Sequence, residues 1–388
     1  MTSTSQPTDA GPAGGAGRRA FIAAAAAAAA TAAAPGAAHA RPRRLRPLFL
    51  GTYTSAPGGG DGIGLASYDD TTGKITRTGS ITGVDDPSFL ALHPSSRTLY
   101  AVNERPEGEV TAIRLSPEGR HRVLGARTTG GGGPCHLSVH RSGRWLLSAN
   151  YLSGSVAVHP IEPSGALGAR TALVVHSDPP PGPGQDGPHA HQIVASPDGG
   201  HVLAVDLGAD AVYTYRLDVE RGTLALVSYA VLKPGAGPRQ LTFHPSGRYA
   251  YLANEQDDTV VVCAYDPASG TLTPGDPQPT GTGPGASYPA QLVVTRGGAF
   301  AYLANRGHNS LTRYAIEGDG ARLRLLDTVP VGGDFPRHIA FSPTQNLLFA
   351  ANQRSGTVTV FHVDHDTGEL RSAGDPFSFP AAVCALPL

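Results

Sequence analysis

Five side chains in this 388-residue sequence stand in contexts that repeat: His191 in "PHAHQ", Arg239 in "GPRQ", Glu255 in "LANEQ", Arg306 in "LANRG" and Arg337 in "FPRHI". Their types define a chemistry. An imidazole takes or gives a proton near neutral pH. Guanidinium groups hold carboxylates or phosphates by paired hydrogen bonds and remain charged at any working pH. A glutamate beside arginines stays ionised unless burial outweighs them. Together they describe a site for an anionic ligand with a base at hand. Taken singly, each fits a structural ion pair as well, and His189 and His191 stand in the Gly/Pro-rich stretch "PPPGPGQDGPHAHQ". The question is whether the fold brings them to one place.

The elements that would do so are hairpins. "GPRQLTFHPSGRYAYLANE" reads as two apolar strands, Gln240–Phe243 and Tyr249–Ala253, around His244-Pro245-Ser246-Gly247. Related stretches are "FLALHPSSRTLYAVNE", "LSVHRSGRWLLSANY", "IVASPDGGHVLAVDL", "LVVTRGGAFAYLANR" and "IAFSPTQNLLFAANQ", at a period of about 50 residues that suits four-stranded propeller blades. A second turn alternates with them, as in "DDTTGKI", "DVERGTL", "DPASGTL" and "DHDTGEL". Seven such outer hairpins but only six inner ones occur. The missing inner hairpin is split between "LFLGTYTS" (Leu48–Ser55) and "AAVCALPL" (Ala381–Leu388), whose pairing closes the ring and removes free sheet edges. The expected fold is all-β, a seven-bladed propeller over 48–388. An antiparallel hairpin brings its two ends together, so every blade offers two positions at one channel mouth. Ser88, Cys135, His191, Arg239, Ala290 and Arg337 begin the hairpins; Glu104, Tyr151, Leu207, Glu255, Arg306 and Gln353 end them.

Composition agrees with this reading. Fifty Gly and 34 Pro, with no long amphipathic helical segment after the first fifty residues, favour many strands and turns. A formal net charge of −1 with scattered Lys and Arg argues against a nucleic-acid or anionic-membrane surface. Gly17-Arg18-Arg19-Ala20-Phe21-Ile22, the Ala-rich run to Ala34 and Ala38-His39-Ala40 have the order of a twin-arginine-type export signal over 1–40, followed by a linker over 41–47. That run is short for a membrane span, so no permanent anchor is expected. Cys135, Cys263 and Cys384 are too few for a disulfide framework, and no metal site or cofactor is expected. Asp85-Asp86 and Asp257-Asp258 read as solvated turns, and Tyr249, Tyr251 and Trp145 as packing.

"FLGTYTS", "PHAHQIVASPDG", "VDLGAD", "GPRQLTFHPSGRYAYLANE", "LANRGH" and "FPRHIAFSPTQNLLFAANQ" together resemble the seven-bladed lactonase family, which includes propeller-type 6-phosphogluconolactonases and carboxy-cis,cis-muconate cyclases. The resemblance spans roughly Leu48 to Leu388. It implies a site at His191, Arg239 and Glu255, with Arg306 from the "NRGH" segment; Gln240 departs from the family's usual His. By this resemblance His191 activates water, Arg239 with Arg306 neutralises an oxyanion, and Glu255 orients Arg239 or relays a proton. Arg337, His189 and His338 are further substrate-binding candidates. The expected activity is opening of a sugar-type or carboxylated lactone by an exported monomer. A muconate-type cycloisomerase and a non-catalytic binding propeller are the alternatives. Export also argues against a phosphorylated gluconolactone, which is an intracellular intermediate.

Overall fold

A computed structural model describes residues 44–177, 182 and 185–388. The expected export signal, over 1–40, lies outside the described residues. Seven antiparallel sheets succeed one another along the chain, each running from an innermost to an outermost strand. Blade 1 joins Cys384–Pro387 to Leu45–Gly51, Ile63–Asp69 and Ile75–Ile81. Blades 2 and 3 begin at Leu90–Leu92 and Pro134–Val139, blades 4 and 5 at Ala190–Ala195 and Pro238–Phe243, and blades 6 and 7 at Tyr288–Val294 and Pro336–Phe341. The propeller and its split closing blade are as expected. Two details differ. Leu45 already pairs with Asp69, so Leu45–Pro47 belong to the sheet and not to a linker. The outer strand of blade 7 is broken into Leu370–Ser372 and Phe377–Ser378 around Pro376, which has no N–H to donate to a ladder.

Closure welds blade 1 to both neighbours. Leu48 faces Pro387 and Gly51 faces Cys384 in register. Phe49, Ile63 and Cys384 pack with Leu90, Leu99 and Ile113 of blade 2, while Leu48, Leu50 and Ala385 pack with Leu347, Phe349 and Val358 of blade 7. The three cysteines are free and buried, as small hydrophobes are.

The repeated turn residues are latches between blades. His93, His140 and His244, each in the turn of an inner hairpin, bond the carbonyls of Gly143, Gly199 and Gly298 in the next blade, at 2.9, 3.4 and 3.2 Å. The strand aromatics do the same at the outer turns. Tyr100, Tyr251 and Tyr302 donate to the carbonyls of Gly165, Gly320 and Gly368 at 3.0, 2.9 and 2.9 Å, and Trp145 Nε1 donates to Val219 O at 2.9 Å. These rings therefore carry directed bonds as well as packing. The outer-turn glycine is required twice over: Gly222 sits at φ +68°, and a Cβ there would overlap the Trp145 ring. Tyr251→Phe should cost about 1–2 kcal/mol by leaving the Gly320 carbonyl unpaired. Urea unfolding midpoints measure this, and an unchanged midpoint would mean the latch bond contributes nothing.

Two aspartates expected as solvated turns are ties instead, Asp86 buried and Asp258 half-buried. Asp86, 4% exposed, accepts from the Ser55 N–H at 2.8 Å and from Thr54 Oγ1 at 3.2 Å. Asp258 accepts from Thr280, Thr282 and Ser287 at 2.8, 2.7 and 2.8 Å. Both have positive φ, a conformation Asp tolerates because its short side chain bonds nearby backbone and hydroxyl groups. Asp85 stays exposed and pairs with Arg105.

Candidate active site

A bulge recurs where the innermost strands meet the channel. The register slips between Pro134 and His136, Ala190 and Gln192, Pro238 and Gln240, and Pro336 and His338. The skipped residues are Cys135, His191, Arg239 and Arg337. A bulged residue has no partner opposite and breaks the strict alternation of faces. Both the bulged residue and its successor therefore reach the channel. Arg239 with Gln240, Arg337 with His338 and Cys135 with His136 line one cavity together with His191.

That cavity is small, about 20 Å³. Roughly 10–15 Å³ is the least that admits one water, so it holds an atom or two and not a sugar ring. Around it the charges pair across blades. Glu255 Oε2 lies 3.0 Å from Arg239 Nε and also meets an Arg306 terminal nitrogen at 2.5 Å. Arg239 further donates to Ala290 O at 2.5 Å, and Arg306 to Tyr288 O at 3.2 Å. Arg337 faces Glu104 at 3.6 Å, and Glu104 accepts from Tyr53 Oη at 2.8 Å and from Ser88 Oγ. Arg239 and Arg306 are only 4% and 5% exposed.

Burial and charge set the protonation states. Burial, reinforced by Arg239, Arg337 and Arg306, holds the His191 imidazole well below its usual value, so it is neutral at pH 7. Burial alone would raise the Glu255 carboxyl, but Arg306 and Arg239 together bring it below the usual range. Burial pushes His136 and His338 down to about 3. These depressed histidines give stability a pH dependence with a definite sign. It is fully present above about pH 6.5, where unfolded histidine is neutral, and falls as pH drops, because only the unfolded state takes up the protons. At pH 5 the loss should be roughly 2 kcal/mol for each of His136 and His338. Urea midpoints at pH 7.5 and 5 test this. His338→Gln, which keeps an acceptor, should shrink the drop; an equal drop would assign it to other groups.

His191, Arg239, Arg337 and His338 thus meet at one cavity. Glu255 and Arg306 stand behind it, joined to Arg239. His189 lies apart from the cavity lining, stacked on Tyr151 with ring centroids 4.5 Å apart and bonded to Tyr151 O and Asp186. Tyr151 in turn meets His191 edge-on at 5.9 Å. Gln240, the departure from the family pattern, accepts from the Leu292 N–H of the next blade at 2.9 Å, as His136 and His338 accept from Ile193 and Ala385. Its position is a blade junction where amide and imidazole serve alike. His136 and His140 have an H-x-x-x-H spacing, but four residues of extended chain span about 13 Å, and His140 bonds in the turn. Tyr53 was missed by sequence. It follows Thr52 in the split hairpin as Glu255 follows Asn254, so aligning that half-hairpin with the others would have placed it in the ring.

A family model for the seven-bladed β-propeller lactonases matches residues 47–387. The chain is 31% identical over 346 residues to a 6-phosphogluconolactonase of Bacillus subtilis, covering 87% of this chain and 96% of that protein. A solved periplasmic gluconolactonase of Pseudomonas aeruginosa superposes with a TM-score of 0.81 at 30% identity, covering 89% of this chain and 99% of the other. A structure from Lactobacillus plantarum gives 0.83 at 30% identity, covering 89% and 100%. With its bulge-borne histidine and arginines at the closed end of the channel, this chain belongs to the seven-bladed β-propeller lactonase family.

Proposed function

We propose that the protein hydrolyses a lactone whose carbonyl oxygen enters the cavity between His191, Arg239 and Arg337. The observation that carries this reading is charge. Three arginines share two carboxylates, Glu104 and Glu255, which leaves one positive charge uncompensated beside a neutral imidazole. A neutral lactone leaves that charge in place, whereas the oxyanion formed on attack cancels it. Such a site favours the transition state over the ground state.

In this scheme His191 takes a proton from water as the water oxygen attacks the carbonyl carbon. The carbonyl electron pair moves onto oxygen, between Arg239 and Arg337. Collapse of the tetrahedral intermediate breaks the ring C–O bond, and the departing alkoxide takes the proton from the imidazolium. The product is a hydroxy acid. Glu255, held ionised, orients Arg239 and Arg306 and moves no proton. The cavity is too small for the ring, so the carbonyl oxygen enters and the ring rests at the mouth, beside Arg306 and the Tyr151–His189 stack.

The twin-arginine-type leader supports an extracytoplasmic enzyme, and the similar Pseudomonas aeruginosa protein is a periplasmic gluconolactonase. A non-phosphorylated sugar lactone is therefore favoured over 6-phosphogluconolactone. The test is hydrolysis of a lactone panel by the chain from Arg41 onward, with cell fractionation of the full-length protein. Comparable turnover of 6-phosphogluconolactone together with a cytosolic location would overturn the preference. His191→Ala should lower turnover roughly 100- to 10,000-fold. Near-normal turnover in that variant would leave a receptor for anionic ligands in place of an enzyme.

A further inference from the structure

The cavity at the channel axis has a lining more one-sided than hydrolysis requires. Four of its side chains have their acceptor atom already used by the neighbouring blade. Gln240 Oε1 accepts from Leu292 N–H at 2.9 Å and Gln291 Oε1 from Ile339 N–H at 3.4 Å. His136 Nδ1 accepts from Ile193 N–H and His338 Nδ1 from Ala385 N–H, both at 3.4 Å. What remains on these groups is mainly donors: two NH₂ groups and, on the neutral imidazoles, two Nε2–H, against one further lone pair on each amide oxygen. Arg239 and Arg337 line the same space and carry only donors. No carboxylate is among the lining residues; Glu104 and Glu255 pair with the arginines outside it. His191 Nδ1, buried and without a hydrogen-bond partner, is one lone pair against these donors.

A water there would place its two hydrogens against few acceptors, the Ser88 hydroxyl, His191 Nδ1 and the second lone pairs of the amide oxygens. A single-atom anion would use every donor and cancel the leftover positive charge. The cavity is small, about 20 Å³, so a single-atom anion fills it most closely. We propose that the cavity is a binding site for a halide-sized monovalent anion, chloride or bromide, held by Arg239, Arg337 and the donor groups of Gln240, Gln291, His136 and His338. The halide takes the place assigned above to the lactone oxyanion. Only its effect on turnover rests on that reading.

The experiment is a chloride titration followed by ³⁵Cl NMR line broadening on the full chain without substrate. Bromide serves as competitor, and sulfate at matched ionic strength as control. Wild type should broaden the chloride signal saturably, with reversal by bromide and not by sulfate. The double variant Gln240→Glu/Gln291→Glu keeps both acceptor oxygens but replaces both donor NH₂ groups by carboxylate oxygen. It should bind chloride at least about ten-fold more weakly, with unchanged circular dichroism. If the double variant does not fold, Gln240→Glu alone provides the comparison. No saturable broadening in wild type, or equal broadening in wild type and variant, overturns the proposal. Failure to hydrolyse any lactone leaves this measurement untouched, so the two readings fail separately.

Discussion

Replacing Arg239 by alanine is expected to cut turnover on the preferred lactone by roughly 100- to 1,000-fold, the usual cost of losing one preorganised oxyanion donor. Three features of the side chain argue for an effect of this size. It is the bulged residue of its strand and 4% exposed, so its position is fixed before substrate arrives. It bonds Ala290 O and pairs with Glu255, which prevents it from swinging away. Its removal also leaves two arginines against two carboxylates, so the cluster loses the net charge that distinguishes an oxyanion from a neutral carbonyl. Glu255 keeps Arg306 as a partner, so the stability cost should be modest, about 1–3 kcal/mol. Arg239→Lys restores the charge without the planar fork and should recover part of the rate. Steady-state kinetics beside melting curves separate these effects. A variant with normal kcat and raised KM would make Arg239 a binding group only.

The second large effect concerns the ring. Deleting Cys384–Leu388 should lower stability by on the order of 5 kcal/mol or more, comparable to two large core truncations. Four register pairs with Leu48–Gly51 vanish. Cys384 and Ala385, fully buried between two blades, go with them, and Phe49 and Leu50 gain an open edge. That edge is an apolar template for another chain. The truncated protein should melt well below the full chain and aggregate on warming. Equal melting temperatures for the two would show that closure adds little.

The propeller was legible because its signals are local and repeated. Apolar alternation, His-Pro-Ser turns and Thr-Gly turns recur, and the deficit of one inner hairpin betrays the split blade. The convergence of His191, Arg239 and Arg337 followed from hairpin geometry alone. Of the second ring, formed by His136, Gln240, Gln291 and His338, only His338 was among the candidates. Strict alternation puts residue 240 on the face opposite residue 239, and a bulge has no composition signature that marks it within "GPRQL". The aspartates misled for a related reason. Asp86 and Asp258 look like turn residues and are, but their carboxylates are used by hydroxyls and amides from remote parts of the chain: Thr54 and Ser55 for Asp86, and Thr280, Thr282 and Ser287 for Asp258.

The split blade also governs when the chemistry can begin. Arg337 of blade 7 pairs with Glu104 of blade 2, and Tyr53 of the closing blade donates to that same carboxylate. Blades 7 and 2 are separated by blade 1, whose innermost strand, Cys384–Pro387, comes after all the other strands of the propeller in the sequence. While the nascent chain still lacks that strand, nothing fixes blade 7 against blade 2, and the arginine and glutamate have no reason to meet. A ribosome-bound chain is then an open arc with most of its hydrophobic packing in place and half of its charge network unassembled. The charge network would be completed in one step, when that strand pairs with Leu48–Gly51.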